Sequence, residues 1–182
     1  NQSAALKVVG RIYGDSKGKP GDLSLHEGMG KIRQLPISGG VRAVTTAQTR
    51  PEGERRLYVS DGWSASYAKE ARAQLKEVRR DGNSFIVSKI GASEDEFTFF
   101  ELWTRDLNGD GLDEIIARGN KHLTQFSRTA EGWRTKRLGS FQSVLNVALL
   151  KVAGGATSRW AIAVPGREET KIVFKSSAEV SL

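Results

Sequence analysis

At 182 residues, with 38% hydrophobic and 27% charged side chains, the chain is long enough for a sizeable core and has the composition of an ordinary folded domain. It has no cysteine, which excludes a disulfide, a thiolate metal site and a cysteine nucleophile. No apolar run approaches the roughly 20 residues that cross a bilayer as a helix, so no membrane insertion is expected. The net charge of +7 invites a polyanion partner. Its distribution weakens that invitation, because residues 1–50 hold eight basic and three acidic side chains whereas residues 92–139 hold seven and nine. Neither a nucleic-acid motif nor interleaved aromatics accompany the basic stretch, and no specific nucleic-acid partner is expected.

In chain order, the sequence begins at Asn1 without an apolar signal segment and reads as a trimmed mature protein or an excised piece of a longer one. Residues 6–13 and 30–37 read as strands with a glycine-rich loop at 14–21, and residues 1–40 as the trailing part of a preceding unit. Gly39-Gly40 marks a boundary, followed by a strand from Val41. Residues 64–76 have helical propensity in part, but Leu75 onward is expected to be strand. Trp63 and Tyr67 read as packing residues.

Residues 75–91 and 123–139 match without a gap at an offset of 48. Leu75/Leu123, Arg80/Arg128 and Gly91/Gly139 are identical, and Phe85/Trp133 and Ile90/Leu138 are similar. Each segment reads as a hairpin, turning at Asp81-Gly82-Asn83 and Ala130-Glu131-Gly132. A further apolar strand precedes each hairpin, at 57–62 and 114–119, and a third copy lies at 160–166. Four strands per unit and a period of 40 to 50 residues divide the chain at 41–91, 92–139 and 140–182.

The chemistry concentrates in Asp106-Leu107-Asn108-Gly109-Asp110-Gly111-Leu112-Asp113-Glu114. Oxygen ligands from Asp106, Asn108 and Asp110 can converge on one point if the backbone turns sharply at Gly111. The Leu112 carbonyl and the Glu114 carboxylate complete the set of oxygens that Ca2+ prefers, and magnesium fits less well. An EF-hand is excluded, because its twelfth position here is Ala117 and both flanks are β-branched or aromatic. The equivalent stretches at 48–56 and 152–159 lack this ligand set.

This strand–loop–strand motif resembles the FG-GAP and VCBS repeats of integrin α-like calcium-binding proteins, with Glu114 where those families usually place aspartate. The resemblance spans about residues 41–175 and implies an all-β fold of four-stranded antiparallel propeller blades: 41–91 without a calcium loop, 92–139 with one, and 140–182 as a further blade. Three or four blades fall short of most closed propellers, so other blades of the same protein or other copies are expected to complete the ring. The resemblance further implies a non-enzymatic interaction module with a protein or glycan ligand and an extracellular or periplasmic location. A carbohydrate-active accessory or lyase-type domain is one alternative, and polyanion binding through the basic N-terminal region is another. His26 and His122 lie in different units and in no catalytic or zinc spacing, so no catalytic residue is assigned.

Overall fold

The computed structural model describes residues 6–10, 23–27, 31–35, 37, 40–53, 55–62, 72–93, 96, 98–141, 146–151, 158–165 and 170–176. The described residues form fourteen strands and no helix. Strands β1 (Leu6–Gly10), β2 (Leu23–Glu27) and β3 (Lys31–Leu35) make a first antiparallel sheet. The second sheet contains β4 (Val41–Ala47), β5 (Arg56–Asp61), β6 (Ala73–Asp81) and β7 (Ser84–Ser93). The third contains β8 (Glu101–Arg105), β9 (Glu114–Arg118), β10 (His122–Thr129) and β11 (Gly132–Ser140). The fourth contains β12 (Asn146–Lys151), β13 (Ser158–Pro165) and β14 (Thr170–Ser176). In each sheet neighbours in sequence are neighbours in space, giving four successive meanders.

The sheets stack because their inner strands carry apolar side chains on both faces. Tyr58 and Val59, adjacent on β5, point to opposite faces and are both fully buried. Val59 joins Val41 and Val78 in a core with Leu23, Leu25 and Leu35 of the first sheet. Tyr58, Ala47 and Leu75 instead meet Phe99, Ile115, Ala117 and Phe126 on the side of the third sheet. Two edge-on ring contacts lock this second core: Tyr58 against Trp133 and Phe99 against Phe126, each with centroids 5.8 Å apart. The second sheet is thus clamped between its predecessor and its successor.

Residues 48 apart occupy equivalent register positions. Leu75 pairs with Gly91 and Leu123 with Gly139, and immediately beyond each pair the ladder slips by one residue, leaving Ile90 and Leu138 in corresponding bulges. At the far ends Arg80 pairs with Phe85 and Arg128 with Trp133, closing on turns at Gly82-Asn83 and Ala130-Glu131. Gly82 has φ of +56°, in the left-handed region that glycine tolerates. Gly91 serves a different purpose: a Cβ there would lie 2.4 Å from the buried Phe126 ring, so its bare backbone lets the second and third sheets approach.

Several strands differ from the sequence expectation. β2 falls within the first 40 residues, where only two strands were expected, because alternation is short and its His26 and Glu27 break the apolar pattern. β8 starts at Glu101, not at Phe97: Phe99 turns into the core and the Phe100 amide donates to the Arg118 carbonyl at 2.8 Å, which brings the chain onto the sheet. The insertion at 63–71, with Trp63 and Tyr67, lies outside the described residues. So do residues 152–157 of the third loop.

Candidate metal centre

Strands β8 and β9 pair from Arg105↔Glu114 inward, and the eight residues between them form the loop that carries the candidate ligands. Short polar side chains build this loop by bonding their own backbone. Asp106 accepts the amides of Gly109 through Oδ1 (2.7 Å) and Gly111 through Oδ2 (2.9 Å). Asn108 Oδ1 accepts the Asp110 amide at 2.9 Å, and Asp110 Oδ1 accepts the Leu112 amide at 2.8 Å. The turn is shared by two glycines, with φ of +81° at Gly109 and +83° at Gly111, where Gly111 alone was expected to supply it.

Glu114 opens β9 and is buried, with 3% of its surface exposed. Its Oε2 accepts the Leu107 amide at 2.8 Å. The Asn108 amide nitrogen donates to Asp110 Oδ2 at 3.0 Å and to Glu114 Oε1 at 3.1 Å. Asn108, Asp110 and Glu114, three of the five expected ligand residues, are therefore joined through the Asn108 amide, while Asp106 caps the same loop through the Gly109 and Gly111 amides and half-buried Leu112 at its end is tied through its own amide. Burial pushes the Glu114 carboxyl above its usual range; the Leu107 amide opposes this, and the charges of Asp110 and Asp106 push it further up.

These residues fit a hard cation in chemistry. Every donor is an oxygen, and the point on which Asp110 and Glu114 converge is held by an N–H dipole, which gives far less charge compensation than an ion. As they stand, no three His, Asp or Glu side chains among the described residues are grouped closely enough to hold a metal. Holding a cation would require these carboxylates to draw together and the Asn108 amide to turn its oxygen inward in place of N–H.

One loop residue that sequence reasoning passed over faces the other way. Asp113 donates its amide to the Gln48 carbonyl at 2.7 Å and accepts the Gln48 amide on Oδ2 at 2.9 Å. The same oxygen lies 3.3 Å from Arg55, whose guanidinium also donates to the Thr46 carbonyl. Thr104 donates to the Thr46 carbonyl as well, at 3.1 Å. The ligand loop is thus stitched to the β4–β5 loop of the preceding sheet. An acid between two candidate ligand positions was the available signal, since adjacent side chains in extended chain point to opposite sides.

A second unanticipated residue is Glu96. Its carboxylate accepts the backbone amides of Asn120 (2.8 Å), Lys121 (2.6 Å) and His122 (2.9 Å), fastening the β9–β10 turn. A Cβ on Gly119 would collide with it, so that glycine makes room for the carboxylate. His122 is buried and its Nδ1 lies 3.0 Å from Ser140 Oγ, while His26 sits half-buried on β2 in the first sheet. The two histidines form no common site.

Beside the loop lies a cleft of about 360 Å³. Asn108, Asp110 and Glu114 form one side of it, and the β10–β11 hairpin contributes Ser127, Arg134 and Lys136 on the other. No family model matches the chain.

Proposed function

We propose that the chain is a non-enzymatic segment of a calcium-stabilised β-propeller of FG-GAP/VCBS type, acting as an interaction module for a protein or glycan ligand in a calcium-rich compartment outside the cytoplasm. Stacked antiparallel meanders in chain order are what successive blades require. The observation that supports the reading is the oxygen-rich loop at the β8–β9 junction, where Asn108 joins Asp110 and Glu114 and Asp106 caps the turn. When bound there, calcium would supply the positive charge that three crowded carboxylates lack. The chain's own residues do the rest: Asp106 and Asn108 fold the loop, Glu114 anchors it to β9, and Asp113 ties it to the neighbouring sheet.

The test is calcium titration of the intact chain by calorimetry, with melting temperature in parallel. At free calcium 100 times the dissociation constant, linkage stabilises the fold by about 2.7 kcal/mol. Magnesium should reproduce the melting shift poorly, and Asp110→Ala should abolish it. Absence of calcium uptake at millimolar concentration would sink the reading.

A further inference from the structure

The cleft beside the ligand loop has a lining that is chemically polarised. Every lining side chain is polar or charged. On the hairpin, Gln125 pairs with Lys136 and Ser127 with Arg134, so all four side chains share one face of the sheet. Gln125 Nε2 donates to Ser127 Oγ at 2.9 Å, which fixes that amide and hydroxyl as a ledge between the two basic residues and the loop. Arg134 is exposed. Arg128, at the same cleft, leans over the Trp133 ring with its guanidinium carbon 5.7 Å from the centroid. The arrangement therefore runs from carboxylate and amide acceptors, through an amide–hydroxyl ledge, to guanidinium and ammonium donors.

We infer that this cleft binds an acidic sugar, a uronic acid residue of a glycan, with its carboxylate against Arg134 and Lys136 and its hydroxyls toward the ledge and the ligand loop. A guanidinium recognises a planar carboxylate through paired donors, and vicinal hydroxyls match the amide–hydroxyl ledge of Gln125 and Ser127. The cleft volume suits one sugar residue, at the lower end of the range for small-molecule sites. An acidic peptide offers the carboxylate but no vicinal hydroxyls for the ledge. A free amino acid offers the same carboxylate but carries an ammonium. Its exclusion rests on the calcium reading above, since a divalent ion in the loop offsets most of the carboxylate charge that would otherwise attract that ammonium.

The experiment is an ¹H–¹⁵N NMR titration of the full chain with D-glucuronate, D-glucose, acetate and glutamate, each with and without calcium, with the calcium melting shift recorded on the same samples. Glucuronate should perturb the Ser127 and Arg134 amides saturably in the millimolar range with calcium present, whereas glucose, acetate and glutamate should bind at least tenfold more weakly. Arg134→Gln should weaken glucuronate at least tenfold while retaining the calcium melting shift, and Lys136→Gln should weaken it less. No saturable perturbation by tens of millimolar glucuronate, equal binding of glucose or acetate, or an unaffected Arg134→Gln variant overturns the proposal. Glutamate binding as well as glucuronate in calcium overturns it in favour of an amino-acid site. A missing calcium shift alongside selective glucuronate binding would remove the calcium reading and leave the sugar site standing. The converse would remove the sugar site alone.

Discussion

Gly91 shows how a single hydrogen atom decides whether two sheets can meet. An added methyl would lie 2.4 Å from Phe126 Cε1 and 3.0 Å from Thr135 Oγ1, and Phe126 cannot retreat because it is fully buried against Phe99. Gly91→Ala should therefore destabilise the fold by about 1–3 kcal/mol, as overpacking does. Phe126→Leu in the same chain should recover part of that loss, and urea unfolding of the single and double variants checks both. Tyr58 gives a prediction in pH. Burial pushes its phenol up to about 12, against the lowering effect of its 2.6 Å hydrogen bond to Thr49. The folded state thus holds the proton that the unfolded chain gives up near pH 10, and the contribution is intact below pH 10 and lost as pH rises toward 12. Alkaline unfolding should steepen in that window, and Tyr58→Phe should remove the steepening. At this scale the sequence pointed to the short polar side chains that fold the β8–β9 loop, because a tight turn with two glycines constrains residue type directly. It was silent about Glu96 and Asp113, whose partners lie 24 to 26 and 65 residues away.

Among elements, the two hairpins were the most legible, since the strands and turns of both follow from matches at one offset, whereas their bulges were seen only in the structure. β8 was misplaced because aromatic and β-branched residues describe a buried extended chain as well as a strand, and only the Phe100–Arg118 hydrogen bond fixes where pairing starts. β2 was missed because His26 and Glu27 end its apolar alternation after Leu23 and Leu25. The β9–β10 turn depends on an element that local pattern cannot reveal. Glu96→Ala would strip three backbone amides of their acceptor in a turn whose third amide is buried. We expect a loss of about 2–4 kcal/mol, reflecting desolvated unpaired donors. Glu96→Gln should retain part of the stability, because its carbonyl oxygen can still accept. Thermal melts of the two variants compare them directly.

For the molecule as a whole, the sequence disclosed an all-β chain of antiparallel sheets, and the four successive meanders agree with that coarse description. How the stack is completed was not written in any local pattern. The described first and last sheets have three strands each, flanking two of four, and their outer strands pair on one side only among the described residues. Unpaired strand edges invite further strands. If the chain is an arc of a propeller, the isolated 182 residues should self-associate or take up a partner chain. Sedimentation at several concentrations checks this, and a strictly monomeric species throughout would count against the arc.

The stitch between Asp113 and Gln48 makes one sheet an observer of its neighbour's chemistry. Gln48 belongs to a loop with no ligand set of its own, yet its amide is held by Asp113, one residue before Glu114. In hydrogen exchange that amide becomes a remote gauge of loop order: any event that stiffens residues 106–114 slows its exchange, while amides at the other end of the same sheet, where Gln74 pairs with Ala92, keep their rates.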